Sequence, residues 1–175
     1  MAGPTASILL ETIPSEQTWI AIKKVIQRIS DKVEGNDFWV RSTTFINGGI
    51  AVVDGRPFGL ERHTIDANHY EYSPQEISSI QEQTGFNPKF DLGLYAMCNQ
   101  EVDHQILGEL TLYLAETFSG MIDFGGQLPL ESRNMRGNTW EIPYTTAEGE
   151  TAVYTVADVA FMKDWRSSKL FRMIK

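Results

Sequence analysis

Three histidines and one cysteine bound the reactive chemistry open to this chain of 175 residues. His63 and His69 lie six apart, with Asp66 between them and Glu71 just beyond. That spacing puts two imidazoles on one face of a strand but not of a helix. Zinc needs three or four such ligands with supporting partners, so the segment reads as an exposed polar loop. Neither a metal nor a cofactor is expected. His104 follows Asp103 in the first turn of a long predicted helix. Adjacent helical positions diverge by about 100°, so the two do not form a ready acid–base dyad. Asp91 and Asp123 fall in two predicted strands, and on adjacent strands of one sheet they would make an acid pair. Cys98 closes the apolar run Leu94–Cys98 and reads as a small buried hydrophobe; a single cysteine also rules out an internal disulfide.

The glycines carry no phosphate-binding signature. Gly48-Gly49 and Gly55 to Gly59 are not followed by Gly-Lys-Ser/Thr, nor do they form G-x-G-x-x-G at a strand-to-helix junction. Asp123-Phe124-Gly125 copies the magnesium-binding triplet of protein kinases, but the catalytic-loop motif is missing and the chain is too short for a kinase. No catalytic residue is therefore assigned, and the chain is expected not to be an enzyme.

The elements that must hold these residues alternate strand and helix. Thr5 to Glu11 reads as a strand. Ser15 caps a helix carrying Ile22, Ile26, Ile29 and Val33 on one stripe, about five turns ending at Gly35-Asn36. Asp37 to Thr44 is a strand, Asn47-Gly48-Gly49 a turn, and Ile50 to Val53 a strand that breaks at Asp54-Gly55. Gly59 to Tyr72 has no clear period. Ser73-Pro74-Gln75-Glu76 opens a short helix with a capping box, closed by Thr84-Gly85. Phe90 to Cys98 is a strand. A helix with Glu101 and Asp103 in its first turn runs to Ser119-Gly120, and Met121 to Phe124 begins another strand. Pro129 to Asn138 is a polar loop, and Thr139–Thr145 with Thr151–Ala157 forms a hairpin around Glu148-Gly149. Asp158 opens a last helix containing Phe161, Trp165, Leu170, Phe171 and Ile174. The pattern predicts one α+β (α/β) domain over residues 1–175, a mixed sheet packed with helices. Strand-helix-strand order at 5–44 and 90–124 also allows a duplicated β-α-β unit.

Composition narrows the partners. The chain is 42% hydrophobic, enough for a core, and its net charge is −8. Between His63 and Ser132 eleven carboxylates meet one base, Lys89, for a net −10. Such a field repels nucleic acid and anionic lipid and favours basic partners. The last thirteen residues carry +4, but Arg166, Lys169 and Arg172 on an acidic protein are expected to be solvated or paired internally rather than to bind nucleic acid. The N-terminus lacks a basic region and a long apolar stretch, so a cytoplasmic, non-membrane location is expected.

The segment Tyr95-Ala-Met-Cys-Asn-Gln-Glu-Val-Asp-His-Gln-Ile-Leu-Gly-Glu-Leu110, continued by Gly120-Met-Ile-Asp-Phe-Gly-Gly126, resembles small bacterial proteins similar to the immunity proteins of polymorphic-toxin, contact-dependent or type VI secretion systems. The resemblance implies a cytosolic α/β protein that binds and blocks a cognate toxin, with no catalytic residues to carry over. On that reading Asp91, Glu101, Asp103, Glu109, Glu116 and Asp123 form an acidic surface facing a basic toxin domain. The competing reading is a small-ligand-binding protein or hydrolase with its pocket near Asp91, His104 and Asp123. A third is an assembly subunit with an exposed apolar patch.

Overall fold

Period-two alternation organises the molecule into two faces of one sheet. The computed structural model describes residues 3–46, 48–66 and 72–174. In chain order the elements are β1 (Thr5–Leu10), α1 (Glu16–Ile29), β2 (Ser30–Glu34), β3 (Asp37–Ser42), β4 (Ala51–Thr64), α2 (Pro74–Thr84), β5 (Phe90–Ala96), α3 (Glu101–Phe118), β6 (Met121–Asp123), β7 (Thr139–Thr145), β8 (Thr151–Ala157) and α4 (Val159–Arg166). The strands form one sheet in the order β2-β3-β4-β5-β1-β6-β8-β7. This is a single-domain α+β fold.

Every hydrogen-bonded strand pair is antiparallel, so the expected mixed sheet is antiparallel throughout its described ladders. The strand-helix-strand units survive in split form. β5 and β6 both run antiparallel to β1, which lies between them, so α3 links two parallel strands across one intervening strand. The first unit differs: α1 connects β1 to β2 with β5, β4 and β3 between them. The two crossovers therefore span different numbers of strands and are not a repeat.

Ala6, Ile8 and Leu10 of β1, Phe90, Leu92 and Leu94 of β5, and Ile122 of β6 face α1, α3 and α4 in the main core. Burying a large apolar side chain in such a core stabilises by about 1.5–3 kcal/mol. The alternate residues Leu9 and Met121, with Ile142, Tyr154 and Val156, form a smaller core with Ile80 of α2 on the opposite face. The helices are capped as their sequences require. Ser73 and Glu76 complete the capping box of α2, and Gly85 closes that helix at φ 75°. The Asp158 carboxylate accepts from the Phe161 amide at 2.7 Å to open α4. The sheet edges are protected by charge on β2, where Asp31, Lys32 and Glu34 are exposed, and by Pro143 on β7.

Three expected boundaries are corrected. The first helix stops at Ile29, and Ser30–Glu34 turns into β2. Val33 thus belongs to a strand, and Gly35, at φ 62°, makes the β2–β3 hairpin rather than ending a helix. β4 runs unbroken through Asp54-Gly55 and takes in much of the segment without a clear period. The last helix ends at Arg166 with Ser167 as its cap, leaving Leu170, Phe171 and Ile174 beyond it. Arg166, Lys169 and Arg172 consequently share no helical face.

Candidate functional site

Of the six carboxylates expected to form an acidic surface, only Glu101 and Glu116 are exposed. Asp91, Asp103, Glu109 and Asp123 are buried, at 0%, 0%, 5% and 4% exposure. Asp103, in the first turn of α3, accepts two parallel bonds from Arg56 of β4: Nε to Oδ1 at 2.8 Å and Nη2 to Oδ2 at 2.7 Å. It also accepts from the Gln100 amide at 2.7 Å, capping its own helix. Glu109 pairs with Arg166, and Glu116 with Lys163 at 2.5 Å. Two bases near the C-terminus, Lys163 and Arg166, are thus paired with α3. Half of the ten described carboxylates between His63 and Ser132 are buried. Net charge in this stretch is therefore not surface charge, and these four residues do not form the exposed acidic surface expected of them.

The remaining two buried aspartates share the second face of the sheet. Asp91 lies opposite Leu9 of β1, and Asp123 lies opposite Ser7. They sit on the strands that flank β1 rather than on adjacent strands. Tyr72, just before the Ser73 cap, carries its hydroxyl across this face and donates to Asp123 Oδ2 at 2.9 Å. The Gly125 amide donates to Asp123 Oδ1 at 2.7 Å, with Gly125 at φ 67°. Glu76 comes from the first turn of α2, where it accepts from the Ser73 amide at 2.9 Å. Tyr154 of β8 stands beside Glu76, and its ring meets that of Tyr144 at 5.8 Å. Sequence reasoning missed all four of these residues, Tyr72, Glu76, Tyr144 and Tyr154.

Together Ser7, Tyr72, Glu76, Asp123, Tyr144 and Tyr154 help line an open cavity of about 260 Å³. Among the described residues, no Lys, Arg or His lines it. Burial pushes the Tyr72 phenol well above its ordinary range, and the carboxylates of Asp123 and Asp91 push it further. Burial likewise raises Tyr154, with Asp123 and Glu76 adding to the effect. Both phenols therefore stay protonated and neutral. The Tyr154 hydroxyl is buried and completes no well-formed hydrogen bond, although Glu76 is near enough to act on it. Negative carboxylates and aromatic walls suit a cationic group such as an ammonium or guanidinium.

His104 does not join Asp91 and Asp123, because α3 packs on the other face of the sheet. Its Nε2 lies 3.0 Å from Asn99 Oδ1. Burial, then Arg172, lowers its pKa, with the Met173 backbone and Asp103 opposing. The unfolded chain thus takes up a proton at His104 that the folded chain refuses, so stability is lost as pH falls below about 6.5. Urea unfolding from pH 7 to 5 should show His104→Gln losing less stability than the parent, by up to about 1.4 kcal/mol per pH unit. Equal pH slopes for the two proteins would rule this out.

His63 lies opposite Asp91 in the β4–β5 register and 3.4 Å from Glu61. His69 and Glu71 fall outside the described residues. Among the described residues, no group of three or more His, Cys, Asp or Glu could hold a metal ion. Cys98 lies just past β5 and is half-buried rather than part of the core. Among the described residues, no helix is long and apolar enough to cross a membrane.

No curated protein and no solved structure matches the chain. A family model does match, over residues 2–175, and by that match the chain belongs to the family of unknown function designated DUF6368.

Proposed function

We propose that the chain is a non-enzymatic binding domain for a basic protein, and that the pocket between Tyr72, Glu76, Asp123 and Tyr154 receives a lysine or arginine of that partner. One observation carries the reading: a cavity of about 260 Å³ lined by carboxylates and tyrosines, with no base among its described lining residues. A desolvated cation over aromatic faces gains about 2 kcal/mol from them, and the carboxylates add charge-assisted hydrogen bonds. A cytoplasmic immunity protein that covers a basic toxin domain is the form of this reading that the sequence resemblance favours.

The pocket is poorly arranged for catalysis. Efficient proton transfer needs a group that titrates near the working pH. Both phenols are driven away from that range, and both Asp123 oxygens are already engaged.

The test is titration with acetyl-arginine amide and acetyl-lysine amide, followed by NMR, against neutral acetyl-citrulline amide. The cations should shift pocket resonances, and Asp123→Asn should weaken them about tenfold, the loss of one charge-assisted contact. Citrulline binding as well as arginine would defeat the proposal.

A further inference from the structure

A second groove lies on the opposite face of the sheet, between α1 and the β2–β4 strands. It encloses about 380 Å³, within the range of small-molecule sites of about 300–1,000 Å³. Its floor is apolar: Trp19, Ile22, Ile26 and Phe38 line it. Two cations line the same space, Lys23 from α1 and Arg62 from β4. Arg62 continues the inward row of Phe58 and Leu60, and its guanidinium is held 4.8 Å from the Trp19 ring centroid. Stacking of this kind fixes a guanidinium while leaving its donor edge free.

The charge state of those two residues is the second observation. Carboxylates outnumber bases by eight in this chain. Among the described residues five bases pair with them: Lys32 meets Glu34, Arg41 meets Asp31, Arg56 meets Asp103, and Lys163 and Arg166 meet α3. Among the described residues neither Lys23 nor Arg62 has a carboxylate within 4.0 Å. An apolar floor with two uncompensated cations complements a molecule with an apolar body and an anionic head.

We infer that this groove binds a small apolar carboxylate, of the class of medium-chain fatty acids, with its tail against Trp19, Ile22 and Phe38 and its head between Lys23 and Arg62. The site is independent of the tyrosine pocket. Isothermal titration of the intact protein with decanoate, below its micelle concentration, should show one-to-one binding. Decyltrimethylammonium, with the same tail and the opposite charge, should bind at least about tenfold more weakly, the combined worth of two partly exposed charge pairs. Lys23→Gln/Arg62→Gln forfeits the Arg62–Trp19 contact, so it should lower the melting temperature by no more than about 2–4 °C while removing that preference. Asp123→Asn, which disables the tyrosine pocket, should leave decanoate binding intact. No decanoate binding, equal binding of the two head groups, or a double variant that keeps the preference would each overturn the assignment.

Discussion

Arg56→Ala is expected to lower the unfolding free energy by about 3–5 kcal/mol, the usual cost of stripping the partner from a buried charge. The carboxylate it leaves behind, Asp103, is 0% exposed, while Arg56 itself retains 21% exposure. After the change Asp103 keeps only the Gln100 amide bond among its described contacts. The reverse variant, Asp103→Ala, forfeits the helix cap, worth about 1 kcal/mol, but the guanidinium it strands can reach water. Its loss is therefore expected to be the smaller of the two. Removing both charges with Arg56→Met/Asp103→Leu should cost much less than the sum, since a well-packed apolar pair replaces a buried ion pair at little net cost. Urea unfolding of the four proteins gives the cycle. A loss under about 1 kcal/mol for Arg56→Ala, or strict additivity, would show the pair to be a surface bridge after all.

That ion pair also explains why the acidic middle of the chain misled a reading based on charge alone. Asp103 looks, in sequence, like a dipole-complementing residue in a solvent-facing first turn. Its true surroundings depend on Arg56, which is 47 residues away on another element. Glu109 and Arg166 repeat the lesson across α3 and α4. Local signals did better where local physics decides. Ser73-Pro74-Gln75-Glu76 predicted the cap of α2, and Thr139–Thr145 with Thr151–Ala157 predicted the β7–β8 hairpin at its observed bounds. The end of α1 failed for a tertiary reason. Ile29 and Val33 fit helical spacing, but Ser30–Glu34 pairs with β3 and extends the sheet edge. In such a segment propensity is a weak prior against strand pairing.

The candidate pocket was half legible. Asp91 and Asp123 were singled out, and period-two alternation between apolar neighbours does place both on the face opposite Leu92 and Ile122. The ligand-pocket reading sets His104 beside them, whereas α3 sits on the other side of the sheet. Tyr144 and Tyr154 did carry a signal, since each stands two residues from an apolar neighbour, Ile142 or Val156, on the same face of its strand. Tyr72 and Glu76 carried none, because only the docking of α2 against the sheet brings them over Asp123.

Alkaline conditions should unfold the protein early, with the tyrosine pocket as the cause. An unfolded tyrosine loses its proton near pH 10. In the folded chain Tyr72 and Tyr154 hold theirs to higher pH, chiefly through burial and then through nearby carboxylates. Below the unfolded value both states bind the proton, so the contribution is fully present. Above it the native state holds protons the unfolded state has released, and stability falls by up to about 1.4 kcal/mol per pH unit for each tyrosine. Two such groups give about 2.7 kcal/mol per unit, a large share of the 5–15 kcal/mol typical of a domain. Phenylalanine substitutions should separate the two. Tyr72→Phe removes the donor to Asp123 Oδ2 and should cost about 1–3 kcal/mol at neutral pH, while flattening the alkaline slope. Tyr154→Phe removes a hydroxyl that completes no well-formed bond, so it should be nearly neutral at pH 7 and more stable than the parent above about pH 10. Its stability curve must therefore cross that of the parent. Parallel curves for Tyr154→Phe and the parent from pH 7 to 11 would mean that its phenol ionises alike folded and unfolded, and that the carboxylates around the pocket do not act on it as its geometry requires.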